Sequence, residues 1–208
     1  MKVITEILKI KGDWQEVVDD CRVTVDRPPL GHEPSSDFKK NILIAEHDPI
    51  RDIEIKFRWT DIPYWVAMHW KTHIWRSRVN SQRNDRQSKY DRTKAPQDAP
   101  VTFTGDMNAQ HAIDTMRKRL CYQASSLTRQ YAENFKRTLK KQESEISNVL
   151  VPNCVYRCGC PEINSKCKQW QRFVEWCINE QDIDVRLIPI QERYDLYNKW
   201  FYRGDANE

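Results

Sequence analysis

The chain has 208 residues, of which 39% are hydrophobic and 31% charged, and its formal net charge is +4. This length and hydrophobic content exclude a disordered chain and suffice for a buried core. The five glycines form neither a G-x-G-x-x-G nor a G-x-x-x-x-G-K-S/T pattern, which argues against dinucleotide and nucleoside triphosphate sites of those types. No segment approaches the length of a membrane span and no apolar leader opens the sequence, so we expect a cytoplasmic protein.

The first elements in chain order are two strands with a helix between them. Residues 2–10 predict a short strand, and Asp13 is placed to cap a helix that runs through about Val23. A loop rich in proline and serine follows at 27–37. Residues 52–59 alternate without exception between apolar and charged side chains, which is typical of a half-buried strand.

A buried helix and a basic segment come next. Pro63 is placed for the first turn of a helix over "TDIPYWVAMHWKTHIW", which is apolar nearly all round. Directly after it, positions 76–94 hold seven basic and two acidic residues. This excess favours an anionic partner, either a nucleotide or a polynucleotide, although composition alone also allows an exposed loop or helix face. Residues 92–100 predict a loop.

The second half of the sequence predicts long helices. Residues from about 108 to 148 have apolar side chains in steps of three or four, and we expect a break near 140–144 because an unbroken helix would be roughly 60 Å long. Pro152 ends this run, and further helices are predicted over about 168–179 and 190–202. Together the elements predict one α+β domain over the whole chain, residues 1–208, with a small antiparallel or mixed sheet and long helices.

Basic residues are also concentrated in the predicted long helix. Positions 117–141 hold eight basic and one acidic residue, a pattern that is most often a solvated helix face. His69 and His73 lie four residues apart on the predicted buried helix, where two histidines can bind a metal ion, but no third ligand is evident. We therefore interpret them as buried histidines.

The seven cysteines do not predict a metal site by their spacing. Four of them lie close together in the sequence: Cys154, Cys158, Cys160 and Cys167. Their spacing, C-x3-C-x-C-x6-C, lacks the paired C-x-x-C of a structural zinc site, so zinc is conceivable but packing cysteines are the better interpretation. We predict no metal site.

Several stretches of the chain follow one another in the same order as the motifs of one protein family. "ILIAEHDPIRDIEIKF" (42–57) places a histidine-containing turn before a strand, and "HWKTHIWRSRVNSQR" supplies a histidine followed by S-x-R. "SEISNVLVPNCVY" ends a helix with leucine, proline and a tyrosine, and "EQDIDVR" follows. These stretches resemble the flavin-dependent thymidylate synthases, whose signature is R-H-R, two residues, S, four residues, S-x-R.

The resemblance implies transfer of a one-carbon unit from methylenetetrahydrofolate to C5 of a deoxypyrimidine monophosphate, foremost dUMP to dTMP. It also implies FAD as the hydride donor, NADPH as its reductant, and a homotetramer whose sites combine several subunits. Two alternatives stay open. One is methylation or hydroxymethylation of another nucleotide such as dCMP; the other, less favoured, is a non-catalytic nucleic-acid-binding protein.

Candidate site residues follow from the resemblance and from the chemistry of phosphate. A monophosphate dianion is bound by an arginine fork with hydroxyl or backbone donors. The predicted substrate contacts are Ser81, Gln82, Arg83, Arg86, Lys166 and Arg172. The predicted FAD contacts are His47, Arg51, Lys71, His73, Arg76 and Arg78. No catalytic residue is assigned, because the implied chemistry depends mainly on orientation and fixed charge.

The chain departs from the family pattern at the arginines. Thr72 and Ile74 flank the histidine where the family has arginines, while Asn148 and Cys177 stand where two more are usual. An amide or a thiol cannot imitate the five donors of a guanidinium. Either another basic residue takes over, or the base that is recognised differs. The candidates to take over are Arg157, Lys166, Lys168 and Arg172.

Overall fold

A four-stranded antiparallel sheet of order β1-β2-β4-β3 is the centre of the fold. In the computed structural model, residues 3–81, 83, 85–86, 91–163 and 166–204 are described. The strands are β1 Thr5–Lys11, β2 Glu54–Pro63, β3 Arg76–Val79 and β4 Pro100–Asn108. The predicted α+β class with a small sheet is thus confirmed.

Helices cover most of the remaining described residues. They are α1 Trp14–Val23, α2 Ser36–Ala45, α3 Tyr64–Lys71, α4 Ala109–Arg119, α5 Ser126–Lys140, α6 Ser144–Val149, α7 Asn153–Tyr156, α8 Gln169–Gln181 and α9 Ile190–Tyr202. Two short 3-10 helices, Asp48–Asp52 and Arg92–Lys94, complete the set. None of these helices is both long and apolar enough to cross a lipid bilayer.

β2 confirms the strand predicted from alternation. Ile55, Phe57 and Trp59 are fully buried, and the strand pairs with β1 on one side and β4 on the other. Opposite Phe57 in the register lies Gly105. A Cβ at Gly105 would overlap the Phe57 ring and approach the Trp75 ring to 2.8 Å. A glycine is needed here because these rings fill the space above the strand.

The helix predictions hold in part. Asp13 accepts a hydrogen bond from the N–H of Glu16 and caps α1 as expected. α8 and α9 lie where they were predicted, as does the break before α6. A second break, after α4, was not predicted. It falls where Ser125 accepts from the N–H of Thr128 and caps a new helix.

Two other predictions were wrong. The helix predicted to continue to position 75 ends at Lys71, where the Thr72 hydroxyl donates to the carbonyl of His69. A side chain that bonds backbone carbonyls in this way competes with the helix, so His69 and His73 do not lie on one helix. The predicted loop at 27–37 is also too long, because Ser35 caps α2 by accepting from the N–H of Phe38.

Aromatic side chains join the helices to the sheet. Phe135 of α5 meets Phe57 at 5.0 Å between ring centroids, and Tyr131 meets Trp59 at 5.3 Å. A second aromatic group joins α8 to α9 through Phe173, whose centroid lies 5.6 Å from that of Trp200. Edge-to-face and tilted pairs of this kind stabilise a core beyond the area that they bury.

Candidate active site

The candidate site is a cavity where the turn between α3 and β3 meets α4 and α7. Its volume is about 440 Å³, within the range of small-molecule sites. The wall residues are Thr72, His73, Ile74, Trp75, His111, Asp114, Thr115, Arg117, Lys118, Asn153, Tyr156 and Arg157. Cations, imidazoles, an amide and a carboxylate therefore face one space.

α4 presents a polar stripe to this cavity. Its apolar side, which includes Ile113 and Met116, is buried in the core. Helical periodicity then places His111, Asp114 and Lys118 on the opposite side, at spacings of three and four residues. The same amphipathic pattern that fixes the helix on the sheet thus delivers the side chains of the site.

Arg117 is held rigidly at the edge of the cavity. Its guanidinium pairs with Glu46 and, at 3.4 Å, with Asp114. It also lies over the ring of Tyr156, with 3.6 Å from its carbon to the centroid. Burial opposes the charge on both partners, but their hydrogen bond and mutual attraction outweigh it. The pKa of Arg117 is raised and that of Glu46 lowered, so the pair stays ionised.

His73 lies in the same wall as a neutral imidazole. Its ring is parallel to that of Trp75, with an interplanar angle of 4°, and Arg119 donates from Nε to its Nε2 at 2.9 Å. Burial, followed by the charges of Arg119 and Lys118, lowers the pKa of His73 to about 4. Because Nε2 accepts a hydrogen bond, the proton of the neutral ring lies on Nδ1.

The positive charge of the cavity that is not neutralised comes from two residues. Arg117 is paired with Glu46, whereas neither Lys118 nor Arg157 has a carboxylate partner among the described residues. Arg157 donates from Nε to the Oδ1 of Asn153 at 3.2 Å, which orients the Asn153 amide. Two unneutralised cations beside an oriented amide suit a ligand with an anionic end and a polar ring.

The predicted substrate contacts do not line this cavity. Arg83 forms two hydrogen bonds with Asp85, at 2.9 and 2.7 Å, and its backbone N–H donates to the Ser81 hydroxyl. Arg86, Lys166 and Arg172 are exposed and absent from the cavity wall. Gln82 lies outside the described residues.

The predicted FAD contacts divide into two groups. His73 lines the cavity, whereas Lys71, Arg76 and Arg78 are exposed at the end of α3 and on β3 and are not part of its wall. The other two lie elsewhere. His47 lines a separate groove with Cys21, and Arg51 pairs with Asp48 in the first 3-10 helix.

Sequence reasoning missed most of the cavity wall. The basic run that starts at Arg117 was interpreted as a solvated face, yet Arg117 and Lys118 point into the cavity. The concentration of basic residues in this run was the sequence feature that could have indicated the cavity wall. Of the four departures from the family pattern, Cys177 is fully buried in the core. Asn148 is contacted at its backbone carbonyl, which accepts from the Asn198 amide and does not depend on the side chain at position 148.

The comparisons with known proteins show the fold. No family model matches the chain, and no curated protein matches it. Among solved structures, one similar to this chain is the UMP/dUMP methylase PolB from Streptomyces cacaoi bound with 5-Br dUMP. The similarity has a TM-score of 0.56 at 11% sequence identity and covers 71% of this chain and 94% of that one.

Proposed function

We propose that this protein transfers a one-carbon unit to C5 of a pyrimidine nucleoside monophosphate, with conversion of dUMP to dTMP as its main reaction. The observation that carries the proposal is the cavity with two unneutralised cations, Lys118 and Arg157, in a fold shared with a UMP/dUMP methylase. A phosphate dianion and a pyrimidine ring match these cations and the polar wall in charge and size.

In this proposal the phosphate and the pyrimidine of the nucleotide each have partners in the cavity. Lys118 and Arg157 bind the phosphate, and Arg117, neutralised by Glu46, keeps its place between the elements instead of closing on the anion. The Asn153 amide, oriented by Arg157, offers a donor and an acceptor to the pyrimidine edge. The rings of His73 and Trp75 are parallel and form part of one wall.

FAD is the proposed hydride carrier, and its fit can be judged by charge. Lys71, Arg76 and Arg78 are exposed cations near His73 in the sequence. Arg76 lies 3.9 Å from a carboxylate oxygen of Glu54, and cations of this kind suit a pyrophosphate. When bound, FAD would supply the hydride that reduces the transferred carbon, with methylenetetrahydrofolate as the carbon donor and NADPH as the reductant. A cavity of about 440 Å³ holds one small ligand, so we propose that further wall comes from other copies in a homotetramer.

A second substrate is favoured by Asp114. Asp114 lines the cavity, and one of its oxygens, Oδ1, accepts from Gln110 and Arg117 at 3.3 and 3.4 Å. Cytosine presents an amino donor where uracil presents a carbonyl, and a carboxylate accepts only from the former. Methylation or hydroxymethylation of dCMP is therefore the alternative reaction.

The test compares the two nucleotides on the purified protein. Flavin absorbance of the protein as isolated is recorded first, and dUMP and dCMP are then assayed with methylenetetrahydrofolate, FAD and NADPH. We expect a yellow protein that converts dUMP. Conversion of dCMP alone would establish the alternative. A colourless protein that binds DNA with strong salt dependence, and no nucleotide, would overturn both.

The matched variants are Lys118→Met and Lys199→Met. Lys118 lines the cavity, whereas Lys199 is an exposed lysine of α9 that is bonded to Gln181. Only the first substitution should raise the concentration of nucleotide needed for half-maximal rate.

A further inference from the structure

Four cysteines line a second cavity, next to the candidate active site. The cavity has a volume of about 310 Å³ and shares Arg117, Lys118 and Asn153 with the wall of the first. Its cysteines are Cys121, Cys154, Cys160 and Cys167. Four of the seven cysteines of the chain therefore face one space, although they come from three parts of the fold.

The group differs from the one that sequence spacing suggested. Cys121 lies in the turn after α4, Cys154 in α7, and the other two in the connection between α7 and α8. Cys158 does not line this cavity, and its sulfur lies 3.9 Å from the carbonyl of Arg186. In the structure the group therefore contains Cys121 in place of Cys158, although Cys121 lies more than thirty positions earlier in the sequence.

We propose that Cys121, Cys154, Cys160 and Cys167 bind one Zn²⁺ ion as a tetrahedral four-thiolate site. Thiolate is the preferred ligand of zinc in structural sites, where four ligands close the coordination sphere. None of the described cysteines forms a disulfide, so the sulfurs are in the oxidation state that a metal requires.

Cations on the cavity wall offset the charge of the proposed centre. Four thiolates around a divalent ion carry a net charge of two negatives, and Lys118 and Arg119 line the same cavity, together with Glu162 and with Arg117, which Glu46 already neutralises. Charges that surround a metal centre in this way stabilise its ionised ligands.

Binding requires the sulfurs to move from their present positions. Among the described residues, no three histidine, cysteine or acidic side chains already converge on a point that could hold an ion. A change of cysteine rotamer shifts its sulfur by roughly 3 Å, because staggered χ1 positions lie 120° apart. Local repositioning of the thiols can therefore bring together sulfurs that already face one cavity.

The proposed ion would join the wall of the candidate active site. Cys154 directly follows Asn153, and Cys121 lies one turn after Arg117 and Lys118. A metal that links these cysteines fixes the turn after α4 to α7, the two elements that carry the cations and the amide of the first cavity. This inference does not depend on which reaction the protein performs.

The experiment measures metal content and thiolate coordination rather than activity. The protein is purified under reducing conditions, and its zinc content is determined by mass spectrometry. The metal is then replaced by Co²⁺, whose tetrahedral thiolate complexes have strong sulfur-to-metal charge-transfer and visible absorption bands. We expect one zinc per chain and these bands with one equivalent of Co²⁺.

The variants separate ligands from bystanders. Cys160→Ser, at an exposed position, and Cys121→Ser should lose the charge-transfer band or weaken Co²⁺ binding at least about tenfold. Cys158→Ser, in the same connection, should leave both unchanged. Circular dichroism of each variant checks that it folds.

Two results would overturn the proposal. One is a reduced, folded wild-type protein that binds neither zinc nor Co²⁺ in stoichiometric amount. The other is a thiolate band that survives Cys121→Ser but disappears in Cys158→Ser. Loss of nucleotide turnover with intact Co²⁺ bands would count against the proposed function alone.

Discussion

Arg119 donates its Nε–H to Nε2 of His73 across 2.9 Å, so a cation and a neutral imidazole are joined at the wall of the candidate active site. Arg119 also donates to the backbone carbonyl of His69 at 2.6 Å, which fixes the end of α3. A protonated His73 would lose the acceptor that Arg119 uses and would face its charge. The histidine at the centre of the predicted FAD contacts thus contributes hydrogen bonding and ring surface rather than positive charge.

The first prediction concerns the titration of His73. Arg119→Gln removes the second largest cause of the depressed pKa after burial, so the pKa of His73 should rise from about 4 toward its ordinary value without reaching it. Nuclear magnetic resonance of the ring nitrogens measures this directly. A wild-type His73 that is protonated at neutral pH would contradict the assignment.

The lowered pKa of His73 also makes the stability of the fold depend on pH. A pKa below the value of the unfolded chain means that the unfolded state binds more protons, so the stabilising contribution is complete above about pH 6.5 and declines as the pH falls toward 4. Denaturant unfolding at several pH values should show a steeper loss in the wild type than in Arg119→Gln.

The second prediction locates the phosphate. Arg157→Gln should weaken binding of dUMP about tenfold or more, because a hydrogen bond to a charged group is worth about 1.5–3 kcal/mol. Titration calorimetry provides the measurement. The sequence pattern predicts the same loss for Arg83→Ala, whereas in the structure Asp85 already occupies that guanidinium. Comparing the two variants shows whether the phosphate binds in the cavity or at the S-x-R segment.

The third prediction concerns Gly105. Gly105→Ala places a methyl group against Phe57 and Trp75, both buried, and overpacking of this kind costs typically about 1–3 kcal/mol. The melting temperature should fall by several degrees. Gly159→Ala is the matched control, since a Cβ there meets no atom within 4 Å. Equal effects of the two substitutions would show that the ring contacts are not the cause.

The fourth prediction concerns a buried lysine. Lys136 is fully buried, and its Nζ donates to the carbonyl of Ser147 at 2.6 Å and to Asn198 at 2.7 Å. Burial, with the charges of Lys140 and Arg137, lowers its pKa well below the ordinary value. The unfolded chain then binds more protons, so stability rises with pH up to the ordinary lysine value.

Comparison with Lys136→Met isolates this contribution. The wild type should gain unfolding free energy over the variant by about 1.4 kcal/mol per pH unit while only the unfolded state is protonated. Urea titrations at about pH 7.5 and about pH 9.5 measure the difference. Lys9→Met, at an exposed position whose charge is not among those that act on Lys136, should keep the pH dependence of the wild type. Parallel curves for all three proteins would refute the neutral lysine.

Sequence patterns predicted the elements that are determined by neighbouring residues. The alternation around Phe57 identified β2, and the cap at Asp13 identified α1, because both depend on neighbouring residues. β3 escaped because its stability comes from pairing across more than twenty residues, as between Arg78 and Thr104. The basic segment after α3 carries no sign of that pairing. β4 was missed although Val101, Phe103 and Met107 alternate along it in the same way as the buried residues of β2.

The candidate site was harder to predict than the fold. Glu46 reaches Arg117 from a helix that the sequence did not reveal, and 71 positions separate the two. Cys121 was missed for the same reason, because the other cysteines of its cavity lie much later in the sequence. Spacing rules apply to residues on one element, whereas both cavities are assembled from several.

The two edges of the sheet limit how copies of the chain can associate. β3 has only four residues and presents Arg76 and Arg78 outward; β1, at the other edge, is interrupted by a bulge between Ile7 and Lys9. Short, charged or bulged edges resist pairing with a strand of another molecule. An oligomer is therefore expected to form through helical surfaces, and a continuous intermolecular sheet, the usual route to fibrous aggregates, is disfavoured.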